Sequence, residues 1–312
     1  MSNSHADPPT HVLDLDAYRT VVDLDNPCLT PRAIDANERD VIVARMVDHL
    51  LTENVPQRMR QRVSDLGEGP TATRRALTAL LTIRHPHGLP RDFLDDADAV
   101  LAFEAASRPA VQPATLPVVA VTVPGTAYLA ASRTALWQGD ITHLAADAIV
   151  NAANSALLGC FAPFHRCIDN AIHVASGPRL RDDCARIMET QGHDEPVGTA
   201  KATRAYALPS RFVLHTVGPQ VPGALHDGHA ADLASCYRSC LDVAARLPGV
   251  RTVAFCGIST GEYGYPKREA ARVAIATVAA WLAHRPDASD LVLFNVFGNE
   301  DRAAYLDAFD AC

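Results

Sequence analysis

The chain has 312 residues, 48% of them hydrophobic and 21% charged, enough apolar content for a sizeable buried core spread over about two domains. Its net charge is −8 and no basic run interrupts it, which argues against DNA or RNA as a partner. No stretch approaches the roughly 18 consecutive apolar residues of a membrane span, and Met1–Pro9 lacks the basic-then-apolar pattern of a signal peptide. Eight cysteines (Cys28, Cys160, Cys167, Cys184, Cys236, Cys240, Cys256 and Cys312) in a long chain without an export signal suit thiols or metal ligands better than disulfides. The expectation is a soluble, cytoplasmic protein with no membrane partner.

Residues 1–30 are rich in Asp, Pro, Thr and His, and a mobile tail is expected there. From Ile34 the pattern changes: Val43, Met46, Val47, Leu50 and Leu51 recur at helical spacing behind Asp35 as a cap. Helices are predicted next over Thr73–Arg84 and Asp92–Ala106, so residues 31–110 read as a small all-helical unit. Pro109, Pro113, Pro117 and Pro124 follow; repeated proline disfavours helix and central strand alike. A linker is expected over 111–127, leaving the helical unit separable from residues 128–312.

Beyond it, short β-branched runs alternate with amphipathic ones. Strands are predicted at Asp147–Val150, Phe212–Val217, Val253–Ile258 and Leu291–Phe297, and helices at Asp169–Ser176, Asp232–Arg246 and Pro266–His284. Strand–helix alternation predicts an α/β layer sandwich.

Three motifs carry chemistry. In the first, Gly139-Asp140-Ile141-Thr142, Asp140 could present its carboxylate to an exocyclic amine or simply cap a turn. Asn151 and Asn154 follow at a strand end, where amides reach sugar hydroxyls or form turns. The second, Gly257 to Pro266, leads from a strand into a helix; its backbone N–H groups can cradle an anion, or it is a plain connection. Glu262 would repel a phosphate and should point elsewhere. The third packs Cys160, His165 and Cys167 into eight residues, either a three-ligand zinc set with an open fourth position or two buried thiols near an unrelated histidine. His173, His193 and His215 are expected to pack or cap, and Cys184, Cys236, Cys240 and Cys256 to be buried thiols.

Taken together, Gly139-Asp140-Ile141, Asn151–Asn154, His215-Thr216-Val217-Gly218-Pro219 and the Gly257–Pro266 loop make the stretch from Ala130 to Ala308 resemble a macrodomain. It looks like the MacroD-type hydrolases, except that the Cys160–Cys167 insertion replaces their glycine run. That insertion is similar to the zinc-dependent branch of bacteria and fungi, whose members carry an N-terminal helical extension. The resemblance implies a three-layer α/β/α macrodomain over 128–312, beside the helical unit. Its ligand would be ADP-ribose and its substrate ADP-ribosylated protein, with removal of the ADP-ribose as the activity.

Carried over position by position, Asp140 and Ile141 would take adenine. Ser259, Thr260, Gly261, Glu262 and Tyr263 would hold the diphosphate and distal ribose, with Asn154, Ile168 and Asp169 beside the ribose. Asn154 and Asp169 would be catalytic, and Cys160, His165 and Cys167 would bind zinc. A non-catalytic ADP-ribose reader and a hydrolase of O-acyl-ADP-ribose are the alternatives, and an open metal position favours the enzyme.

Overall fold

The computed structural model describes residues 12–312. Its first part is helical: α1 (Leu15–Tyr18), α2 (Ala36–Thr52), α3 (Gln57–Ser64), α4 (Pro70–Ile83) and α5 (Arg91–Ala106). Asp35 caps α2 by accepting from Glu38 N, as its spacing predicted. Ile42, Val43, Met46 and Leu50 of α2 meet Leu77 and Leu80 of α4 and Phe93 and Val100 of α5 in a separate small core.

A short helix α6 (Val119–Thr122) precedes β1 (Thr134–Gln138) and β2 (Ala148–Ala153). Then come α7 (Ile168–Ser176), α8 (Pro178–Gln191), β3 (Ala200–Arg204), β4 (Phe212–Val217) and α9 (Asp227–Ala245). The chain closes with β5 (Thr252–Phe255), α10 (Lys267–His284), β6 (Leu291–Val296) and α11 (Asn299–Asp310). The six strands form one sheet in the order β1-β6-β5-β2-β4-β3. Only β3 runs antiparallel to its neighbour. The parallel strands read as continuous apolar runs because helices cover both faces, and β4 is buried along its whole length. Helices α7 and α8 form one layer, and α9, α10 and α11 pack in succession as the other, completing a three-layer α/β/α unit. No helix among the described residues is long and apolar enough to cross a membrane.

Three expectations are corrected. Of the tail expected over residues 1–30, the segment Leu13–Leu24 packs on the main core, with Leu15, Tyr18, Val22 and Leu24 buried there; residues 25–30 are exposed, and residues 1–11 lie outside the described residues. Tyr18 Oη accepts from Ala202 N at 2.8 Å, covering a donor of the edge strand β3. The proline-rich stretch is likewise not a free linker. Val111 N donates to His143 O at 2.8 Å, and Val119 and Val123 are buried with the sheet.

The helical unit is also docked rather than loosely attached. Arg181 of α8 donates through Nη1 to Leu81 O at 2.7 Å and Arg84 O at 2.8 Å. Arg179 pairs with Asp98 at 2.7 Å and Asp95 at 2.6 Å, and Asp182 accepts from His87 N at 2.7 Å.

Candidate active site

Side chains and loops at the carboxyl ends of β2, β4, β5 and β6 line a cavity of about 410 Å³, where an open α/β sheet places its ligands. The loop after β5 forms one wall. Its internal bonds are Gly264 N to Gly261 O at 3.0 Å and Tyr265 N to Ser259 O at 2.9 Å, and Pro266 stands at the N-cap of α10. Ser259 has φ 62°, a left-handed conformation that costs a non-glycine residue on the order of 1 kcal/mol. The turn tightens against Gly218, where a Cβ would collide with Ser259 Oγ and Ile258. Ser259 Oγ is buried without a hydrogen-bond partner, and Ser259 to Tyr263 all face the cavity. A strained turn at a helix N-terminus with an unsatisfied hydroxyl suits an anionic ligand.

The insertion between β2 and α7 forms the opposite wall. Phe161 (φ 49°) and Phe164 (φ 65°) both take the left-handed region there. Donor atoms of Cys160, His165 and Cys167 lie within 4.8 Å of one another. Cys167 N-caps α7, its sulfur accepting from Asn170 N at 3.4 Å, and Asn170 Nδ2 holds the His165 carbonyl at 3.0 Å. Burial, with the Cys160 thiol adding to it, pushes Cys167 up to about 12 against the bond from Asn170 N. Nδ1 of His165 is buried with no partner, and its Nε2 is 3.4 Å from Glu262 Oε1. Two thiols, an unpartnered imidazole nitrogen and this spacing fit a zinc-type donor set. Glu262 points to the metal-type loop and not along the anion loop.

Between the walls, Asp169 is 5% exposed and lines the cavity with Ile168. Its Oδ1 accepts from Asn151 Nδ2 at 2.8 Å and lies 3.5 Å from His173 Nε2. Burial raises Asp169 to about 6, although the Asn151 bond and the Arg181 charge pull the other way. The same Asn151 amide lies 3.2 Å from His215 Nδ1. Asn154 also lines the cavity, but its amide is spent on the loop, donating to Gly159 O at 2.9 Å and accepting from Ala156 N at 3.1 Å.

Similarity to known proteins follows this geometry. A family profile described as Macro domain matches residues 150–274. A protein-ADP-ribose hydrolase of Treponema medium is 42% identical over 260 residues, covering 83% of this chain and 95% of that protein. The chain belongs to the macrodomain family. A protein-ADP-ribose hydrolase of Staphylococcus aureus (strain MSSA476) is 48% identical over 176 residues, 56% of this chain and 65% of that protein, so the match spans less than two thirds of that relative. The crystal structure of a Trypanosoma brucei macrodomain in complex with ADP-ribose superposes with TM-score 0.54 at 28% identity, covering 84% of this chain and 94% of that one.

Not every residue expected at this macrodomain's site lines its cavity. Asp140 accepts from Thr142 N at 3.0 Å and Thr142 Oγ1 at 2.7 Å, capping its own turn, and Ile141 is buried in the core. Both sit at the end of β1, where Gly139 N donates to Val296 O at 2.9 Å, beside the cavity and outside its lining. Conversely Asn295, Phe297, Lys267 and Tyr305 do line it, none of them singled out from the sequence. Phe297 is 79% exposed, a large apolar ring at the cavity's edge. The available signal was its place just after the last strand of a parallel sheet.

His173, Cys184 and His215 pack together in the interior, as expected of packed residues. Cys236, Cys240 and Cys256 are buried. His193 Nδ1 lies 2.8 Å from the Asp194 carbonyl at the surface.

Proposed function

We propose that this macrodomain is a zinc-dependent hydrolase that removes ADP-ribose from modified protein side chains. The observation that carries the reading is that one cavity holds three elements together: the anion loop Ser259–Tyr263, the buried carboxyl of Asp169, and the donor trio Cys160, His165 and Cys167. A reader needs the first alone. The names of the Treponema and Staphylococcus relatives support the substrate class.

Backbone amides of Ser259 to Tyr263 and the Ser259 hydroxyl bind the diphosphate. Phe297 offers a face for adenine, with Asp140 beyond it for the exocyclic amine. Cys160, His165 and Cys167 would hold the zinc ion, which when bound supplies Lewis acidity toward the distal ribose or the leaving group. Asp169, fixed by Asn151, holds a water or a ribose hydroxyl at the anomeric carbon and takes up a proton there. A C–O bond forms from water, which keeps one proton as the new anomeric hydroxyl, while the bond to the side chain breaks and the proton taken up by Asp169 passes to the departing side chain. Asn154 shapes the loop that carries Cys160 and orients the ribose through it. The eight cysteines are all unbridged, which suits a reducing compartment, and we place the enzyme in the cytoplasm.

The test is turnover of a panel of peptides, each ADP-ribosylated on one defined side chain, with and without a chelator, beside O-acetyl-ADP-ribose. Chelator-sensitive release from a peptide is expected. Tight ADP-ribose binding without release would make the protein a reader, and turnover confined to the acetyl ester would move the substrate to a metabolite.

A further inference from the structure

Most lysines and arginines among the described residues pair with a carboxylate or donate to a backbone carbonyl; Arg58, Arg62, Arg75, Arg108, Arg166, Arg238 and Arg302 do neither. A group of exceptions gathers at one place. Arg62 of α3 and Arg75 of α4 each stand 5.3 Å from the ring centre of Phe164, with no carboxylate on either. Arg58 lies one helical turn before Arg62 on the same face of α3, and Arg166 follows His165 and lines the cavity. All four are exposed. Residues 57–75 hold five arginines against two carboxylates, Asp65 and Glu68, in a chain of net charge −8. Asp65 is engaged by Gln61 Nε2 at 2.8 Å, and Glu262 on the far wall faces His165.

Two guanidinium groups drawn to one ring repel each other, and the ring face attracts them without neutralising them. Such an arrangement gains most from an anion that both can reach, and the guanidinium fork matches a carboxylate.

We propose that Arg58, Arg62, Arg75 and Arg166 form a collar that receives an acidic segment of the modified protein, flanking the side chain that bears ADP-ribose. The proposal rests on the hydrolase reading and names its substrate class. The position follows from the walls: the anion loop holds the diphosphate, so the modified side chain leaves at the donor-trio end. There the collar starts at Arg166 and runs outward over Phe164 onto the helical unit. A nucleic acid fits less well, because the cationic patch is local and the net negative charge opposes a long polyanion.

The experiment uses the full chain and two peptides carrying the same ADP-ribosylated residue, one with Glu flanks and one with Gln flanks. At low salt the Glu peptide should show a kcat/KM about tenfold higher, mostly through KM, with the gap closing as salt is added. Arg58→Gln/Arg62→Gln/Arg75→Gln should reduce the Glu peptide to the level of the Gln peptide at an unchanged melting temperature. If that variant does not fold, Arg58→Gln alone, which touches no ring, should narrow the gap. Equal kcat/KM for the two peptides in the wild type, or a preference that survives in the folded variant, overturns the collar. If no peptide is turned over, the hydrolase reading fails and the collar is judged by fluorescence anisotropy of an unmodified Glu-rich peptide. Binding weakened in the variant supports it, and absence of binding overturns it. A single-stranded oligonucleotide that displaces the peptide at lower concentration than the peptide's own would also overturn it.

Discussion

Glu262 Oε1 and His165 Nε2 lie 3.4 Å apart, so the two walls of the cavity touch through a carboxylate and an imidazole. The other ring nitrogen, Nδ1, is buried without a partner. A carboxylate beside one nitrogen of an imidazole is a common arrangement behind ligating histidines, whose other nitrogen takes the metal. A residue that looked misplaced in an anion-binding loop has its explanation across the cavity.

Removing that contact should weaken zinc binding without harming ADP-ribose binding. Glu262→Ala is expected to lower zinc affinity by about 10–100-fold, read by competition with a chromophoric chelator. ADP-ribose affinity by calorimetry should stay within a few fold. Unchanged zinc affinity would show that the contact does not orient His165.

Zinc removal should silence the enzyme and leave the fold. The donor loop lies outside the sheet, and Phe161 is held independently by the Arg181 guanidinium at 4.8 Å and the His85 ring at 5.2 Å. Chelation is therefore expected to abolish turnover while moving the melting temperature by less than about 5 °C. Full activity in metal-free protein would defeat the metal assignment, and global unfolding would make the metal structural.

A chain beginning at Gly125 should not fold as the isolated α/β unit. It loses Leu15, Tyr18, Val22, Leu24, Val119 and Val123, all buried in the main core. Burial of each such side chain contributes about 1.5–3 kcal/mol, against a whole-domain stability of about 5–15 kcal/mol. Circular dichroism and size exclusion should report an unfolded or aggregated species. A monomer with a sharp melt and intact ADP-ribose binding would show that the first 124 residues are dispensable.

His215 should remain neutral well into acid. Burial lowers it to about 3 from an ordinary 6.5, and its Nδ1 faces the Asn151 amide. Between pH 6.5 and about 3 the unfolded chain carries a proton here that the folded chain does not. The site therefore costs stability as pH falls through that window, by about 1.4 kcal/mol per unit. Nitrogen-15 NMR should show an Nε2–H imidazole that does not titrate down to pH 4. A midpoint near 6.5 would refute this.

Much of the fold was legible because parallel strands and amphipathic helices carry strong patterns. Phe212–Val217 was predicted with the bounds it has, and α10 differs by one residue. What escaped lay where the pattern is weak. The edge strands β1 and β3 were missed, and β3 buries Lys201, paired with Glu195 at 2.8 Å and both fully enclosed. A lysine in a strand reads as exposed until its partner from a distant loop is known. Helix α8 was missed because its buried residues include Arg181 and Asp182, which meet the helical unit, and Asp183, which meets Tyr206 and Arg204 beside β3, rather than a hydrocarbon core. At the site, the trio and the anion loop are contiguous in sequence and could be found. Phe297 and the pairing of His165 with Glu262 depend on strand order, which local motifs do not encode.

The Tyr18 hydroxyl at Ala202 N has a consequence for handling the protein. Strand β3 ends the sheet, and a bare sheet edge is a template for pairing with another molecule. The segment from Leu13 to Leu24 acts as a permanent selvedge, anchored further by Arg246 on Asp14 at 2.7 Å and Arg204 on Asp23 at 3.2 Å. Clipping by a protease between Leu24 and Asp35 would free that border even where every catalytic group stayed in place. The nicked enzyme would then be lost by self-association long before its chemistry failed.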